Sequence, residues 1–183
     1  MSACTPSVCA GAVQSRVSTN EKLRAELLEM MARDQTLRGA LGASQDSELV
    51  KQLLETDAVH TARFKEILHV HGWPSFSLVG NDGAQAAWIV AQHADADRNF
   101  QRNCLELMRV AVNAGEADAQ LLAYLTDRVR VALQQPQVYG TQMRVLDDGH
   151  LEPFEIGDAD RVDERRAEIG LESMVEYRKK MQP

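Results

Sequence analysis

Apolar residues recur every three to four positions through four long stretches of this chain, and a glycine or proline closes each stretch. That spacing is the repeat of an α-helix with one face turned inward. The first helix is expected from Thr19 or Asn20, both good N-caps, to Leu41, with Gly42 as its stop. The second starts within 44–47, has Glu48 in its first turn and runs to His71, where Gly72-Trp73-Pro74 breaks it. A loop over 75–81, holding Gly80, leads to a long third helix from Ala84 to Asn113, ended by Gly115. The fourth runs from Glu116 to Gln134 and stops at Pro136. Residues 142–146 and 151–156, around the turn signal Asp147-Asp148-Gly149, predict a short β-hairpin. Two short helices, 160–168 and 172–181, are separated by Gly170. Long helices joined by short loops pack as antiparallel neighbours. The expected fold is therefore mainly α: an up-down four-helix core with a short β-hairpin and two short C-terminal helices. It forms a single helical domain over 19–183, behind a flexible N-terminal tail over 1–18.

Composition narrows the partners. A chain of 183 residues is long enough to bury a core. Aromatics are only 5% of it against 44% hydrophobic residues, so that core is built from Leu, Val, Ala and Met, which suits helices. The formal net charge is −7, and Arg128, Arg130, Arg161, Arg165 and Arg166 are each interleaved with acids or apolar residues. Nucleic acids and anionic membranes need clustered cations, so neither is an expected partner. The first 15 residues lack the basic start and apolar run of a secretory signal. No stretch approaches the roughly 18 apolar residues of a membrane span, and a cytoplasmic location is expected. Of the three cysteines, Cys4 and Cys9 fall in the tail and Cys104 on an apolar helix face, a pattern that suggests no disulfide framework.

Each long helix breaks its own apolar stripe. Leu23, Leu27, Met30, Leu37 and Leu41 line the first, with Asp34 in the middle, Arg38 one turn on and Gln35 at the edge. In the second, His60 is central among Leu49, Leu53, Phe64 and Ile67, with Asp57 beside it. In the third, His93 and Asp97 sit mid-stripe, while Asp95 falls with Arg98, Asn99, Arg102, Glu106 and Arg109 on a solvent face. In the fourth, Arg128 interrupts the stripe with Asp127 on its shoulder. Isolated buried charges cost several kcal/mol, so these groups must pair, bind a ligand or line a wet cavity. Asp34 with Arg38, and Asp97 with Arg128, are the expected internal pairs.

Three chemistries fit. The first is a cofactor-independent enzyme acting on a small-molecule ligand by addition–elimination, cyclisation or hydrolysis. His93 would carry the proton, Asp97 would orient it, and Arg128 or Arg38 would hold a carboxylate or oxyanion. Substrate-binding groups would come from Asp34, Gln35, Arg38, Asp57, His60, Gln101 and Asp127. After Pro136, Gln137, Tyr139, Thr141 and Gln142 offer amides and hydroxyls around Gly140, which permits a tight turn. That string either points donors into the cavity or anchors the hairpin, and Trp73 is either a lid or a loop anchor. No nucleophile elbow, phosphate loop or dinucleotide fingerprint is present. The second chemistry is binding of a small molecule or peptide without turnover. The third is a metal site made of His60, His93 and Asp97, opposed by the charges of Arg38 and Arg128.

Three motifs carry a resemblance: Gly72-Trp73-Pro74; Gln92-His93-Ala94-Asp95-Ala96-Asp97; and Gln137-Val138-Tyr139-Gly140-Thr141-Gln142. Asp34-Gln35 and Val162-Asp163-Glu164-Arg165-Arg166 extend it over most of the chain after the tail. With these the sequence resembles a bacterial domain-of-unknown-function family. The resemblance implies the same boundaries and the same polar positions, but no activity. It also implies asparagine where His60 stands and glycine near Gln134.

Overall fold

Helix α1, Glu21–Gly42, begins where the Asn20 side chain accepts a hydrogen bond from the Leu23 N–H at 3.1 Å. Helix α2, Ser47–His71, is capped in the same way by Asp46, which accepts from the Glu48 N–H, and it ends at Gly72 with φ 67°. Leu23, Leu27 and Met30 from α1 and Phe64 and Ile67 from α2 enter one core. These are residues of a computed structural model that describes 18–42, 46–147 and 149–181. Cys4, Cys9 and nearly all of the expected tail lie outside the described residues.

Helix α3, Phe76–Gln92, is packed against α1, α2, α4 and α5. Its Gly83, Ala84, Ala86, Ala87 and Ala91 are all buried, so it is apolar around most of its circumference, the pattern of a central helix. The expected loop over 75–81 is instead the first turn of this helix. Gly80, at φ 74° and ψ 174°, puts a kink between that turn and the rest, a conformation open to glycine because it has no Cβ.

The long third helix of the sequence reading is two helices. The first, α3, ends at Gln92, and α4 spans Arg98–Asn113, with 93–97 as a polar break between them. After the turn at Ala114–Glu116, α5 spans Ala119–Ala132 and is capped by Asp118, which accepts from Gln120 and Leu121. Helix α5 ends two residues earlier than expected. Gln134 there has φ 57°, the left-handed conformation that glycine adopts at little cost.

Strands β1, Met143–Val145, and β2, Leu151–Pro153, form the expected antiparallel hairpin, with Arg144 opposite Glu152 and ion-paired to it at 2.8 Å. A short 3-10 turn, Ala159–Arg161, leads into α6, Val162–Glu168, and the chain continues to α7, Met174–Met181. Val162, Met174 and Tyr177 make a second small core with Tyr124 and Ile156. Gly140, φ 70°, lies against it so closely that a Cβ would come within 2.8 Å of the Met174 sulfur. Among the described residues no helix is long and apolar enough to cross a membrane.

Candidate functional site: a carboxylate–histidine network at the end of helix α3

The break at 93–97 is made by its own polar side chains. Asp97 is the N-cap of α4, accepting from the Phe100 N–H at 3.0 Å. Gln101, 1% exposed, donates its amide to the Ala91 and Gln92 carbonyls at the end of α3 and to Asp95. Carbonyls at a helix end lack partners within the helix, and Gln101 adds a donor to both of these at a buried end. Once the helix is interrupted its rotational phase restarts, so the inward face predicted for Asp97 does not hold, while Asp95 is exposed as expected. Asp97 turns to Lys65 at 2.7 Å on the surface, and that exposed pair contributes about 0–1 kcal/mol at most. Asp95, expected to face solvent alone, receives Arg128 in a two-pronged ion pair (Nε to Oδ1 2.8 Å) and the Gln101 amide. Desolvation pushes the Asp95 carboxyl up, but Arg128 and Gln101 outweigh it and hold the group below its usual range. The expected Asp97–Arg128 pair is therefore not formed, and Asp97 does not orient His93.

Asp34 takes that place. It is 2% exposed, and its Oδ1 lies 2.8 Å from His93 Nδ1 and 2.9 Å from Arg38 Nε. Its Oδ2 accepts from the Gln35 amide at 2.8 Å. Burial pushes the Asp34 carboxyl up, but the bonds from His93 and Gln35 and the charge of Arg38 hold it below the usual carboxylate range, so it is ionised at neutral pH. Arg38 Nη2 then grips both oxygens of Asp57, at 2.9 and 3.0 Å. Burial pushes the Asp57 carboxyl up by more than Arg38 pulls it down. The network thus joins α1, α2 and the end of α3, and the predicted Asp34–Arg38 pair is its centre.

Arg38 Nε also lies 3.0 Å from His93 Nδ1, so the proton on that nitrogen has to be assigned. A lone pair on Nδ1 facing an ionised carboxylate oxygen at 2.8 Å would be repelled, whereas an N–H there makes a charge-assisted bond. We assign Nδ1–H donating to Asp34, with Arg38 Nε donating to the same oxygen. Nε2 is then the imidazole nitrogen left to take a proton, on a side chain that remains 16% exposed.

His60 lies beside this network. It is 9% exposed, and burial holds its imidazole below the usual histidine value, although Asp34 and Asp57 pull the other way. With Thr56 it lines a groove of 660 Å³ between α1 and α2, whose other walls include Glu29, Arg33, Glu55 and Val59. The sequence reading missed Arg33 and Glu55 because on a helical wheel they fall on the solvent side of their own helices. Only the pairing of α1 with α2 brings them together.

The remaining predicted residues are mostly structural. Asp127 is fully buried and accepts from the Val138, Tyr139 and Thr141 N–H groups and the Thr141 hydroxyl. Displacing any one of these donors with a substrate would cost about 1–3 kcal/mol, so Asp127 is committed to holding the 137–142 loop. Gln137 closes the same loop, donating to the Gln142 and Phe154 carbonyls and accepting from the Gln142 N–H. Tyr177 bonds the Thr141 carbonyl, and fully buried Arg166 bonds the Tyr139 carbonyl and stacks on the Tyr177 ring, 4.8 Å away. The anchor reading of this string, rather than the cavity reading, describes Gln137, Thr141 and Asp127. Gln142 does reach Arg128 with its side chain, at 3.4 Å, and Tyr139 stays half-buried. Trp73 is buried edge-on against Phe64 at 6.1 Å and is a core residue, not a lid. Asp97, the carboxylate of the alternative metal set, is held by Lys65, and no group of three metal-ligating side chains is found among the described residues. Cys104 is in the core, its thiol pushed up to about 12 by burial and therefore inert.

No curated protein and no solved structure matches this chain. One family model, described as a family of unknown function (DUF6624), matches residues 21–182, which takes in helices α1 to α7 and the hairpin. The chain belongs to that family.

Proposed function

We propose that this protein is an acid–base enzyme acting on a small molecule, with His93 carrying the proton and Asp34 as the residue that positions it. The observation behind this reading is the 2.8 Å contact between His93 Nδ1 and a buried, ionised Asp34. Such a carboxylate fixes the ring and its tautomer, leaves Nε2 free as a base, and stabilises the imidazolium that forms when Nε2 takes a proton. Arg38 holds Asp34 in place and ties it to Asp57, so the dyad is supported from two helices. Addition–elimination, cyclisation and hydrolysis each need one proton removed and one returned, and a single imidazole supplies both. Arg128, bound to Asp95, has no part in this step.

The test is untargeted. The protein is incubated with a small-molecule extract and the mixture is followed by mass spectrometry. Wild type is expected to consume at least one compound that His93→Gln leaves untouched, and Asp34→Asn should slow that loss by about 10²-fold or more. Consumption by His93→Gln at the wild-type rate would end the reading. A second reading, binding without turnover, is supported by the groove beside His60. A compound that raises the melting temperature, loses that effect in His60→Asn and is recovered unchanged would favour it.

A further inference from the structure

We infer that the groove between α4 and α5 is a binding site for a phosphorylated small molecule. It has a volume of 470 Å³, within the range of small-molecule sites, and is lined by Arg102 and Arg109 from α4 and Arg130 from α5. Glu106 is the one acid among its lining residues, so the groove carries an excess of two positive charges on a chain whose formal net charge is −7.

Several arginines elsewhere in this protein are paired with carboxylates: Arg24 with Asp82, Arg63 with Glu26, Arg144 with Glu152. The Arg102 side chain makes no hydrogen bond or ion pair among the described residues. Arg109 has only Glu106, at 3.4 Å, with both side chains more than half exposed. Arg130 commits its Nε to the Pro136 carbonyl at 2.6 Å, which pins the guanidinium at the end of α5 and leaves its Nη atoms to point elsewhere. Grouped guanidiniums repel one another, and Glu106 is the one acid among the lining residues to relieve them.

A doubly charged phosphoryl group matches the excess of two, and its oxygens accept the paired N–H bonds that guanidinium forks offer. Asn99 and Asn103 add amide donors, and Leu105 and Leu133 give an apolar wall for the organic part. This site shares no residue with the His93 network and stands or falls separately from it.

Calorimetric titration with inorganic pyrophosphate and with a sugar phosphate, at physiological salt, tests the inference, with citrate as the carboxylate of comparable charge. Both phosphates are expected to bind with a Kd of about 1 mM or tighter. Arg102→Ala, at an exposed and partnerless position, should weaken them about tenfold, and Arg109→Ala should repeat the loss. Arg33→Ala, in the other groove, should leave binding unchanged. Absence of binding, equal loss in Arg33→Ala, or citrate bound as tightly as pyrophosphate would overturn it.

Discussion

The role of each buried carboxylate here follows from how many of its lone pairs are already taken. Asp127 accepts four donors and has nothing left to offer a substrate, whereas Asp34 accepts three and passes its charge to an imidazole with an exposed edge. His60 shows the same logic in its titration. Burial holds its imidazole below the usual histidine value despite Asp34 and Asp57, and Arg33 adds to the lowering. As pH falls, the unfolded chain therefore takes up a proton at this residue first. The stability that comes from keeping His60 neutral is present above about pH 6.5 and drains away as pH falls toward the folded value. Asp34 acts in the same direction but only in the carboxylate range, where Asp57 acts oppositely. We expect His60→Asn, the residue implied by the family resemblance, to keep the fold and flatten the loss of stability just below pH 6.5. Chemical denaturation at a series of pH values measures this, and an unchanged slope would count against it.

At the scale of elements, the starts of α1 and α2 were readable because each rests on one local residue, Asn20 and Asp46, whereas α5 starts behind Asp118, three residues later than expected. The α3–α4 break was not readable, because Gln101, nine residues from Gln92, supplies the bond that makes it stable. A helical wheel drawn through 84–113 assumes one unbroken phase, and it read residues that end a helix as residues inside one. That error moved Asp97 inward; Asp95 does face outward, but it carries Arg128 there. The end of α5 holds a test of the opposite kind, where a residue carries avoidable strain. Gln134, exposed and at φ 57°, pays a left-handed backbone cost that glycine would not. Gln134→Gly is expected to raise stability by about 0.5–1 kcal/mol, read as a shift in the denaturation midpoint. A lower midpoint would mean that the side chain contributes more than the strain.

Across the whole molecule, periodicity and breakers were enough for a helical bundle with a hairpin and two short terminal helices. They were also enough to single out Asp34, Arg38, Asp57 and His93 as residues in the wrong place for a plain core. What they lacked was the pairing of helices, which decides that His93 meets Asp34 from α1 rather than Asp97 from its own neighbourhood, and that Arg128 meets Asp95. The same pairing sets the two grooves, each lined by side chains that a single helix would assign to solvent. Helices α1 and α3 must meet for the dyad to exist, with α2 bracing it through Asp57 and Arg38, so the state of His93 reports on this arrangement. Nitrogen-15 NMR of the histidine side chains at neutral pH reads that state directly. Neutral His93 is predicted to carry its proton on Nδ1, bonded to Asp34, with Nε2 bare. A ring protonated on Nε2 instead, with Arg38 donating to Nδ1, would leave no base facing a substrate and would contradict the proposed chemistry.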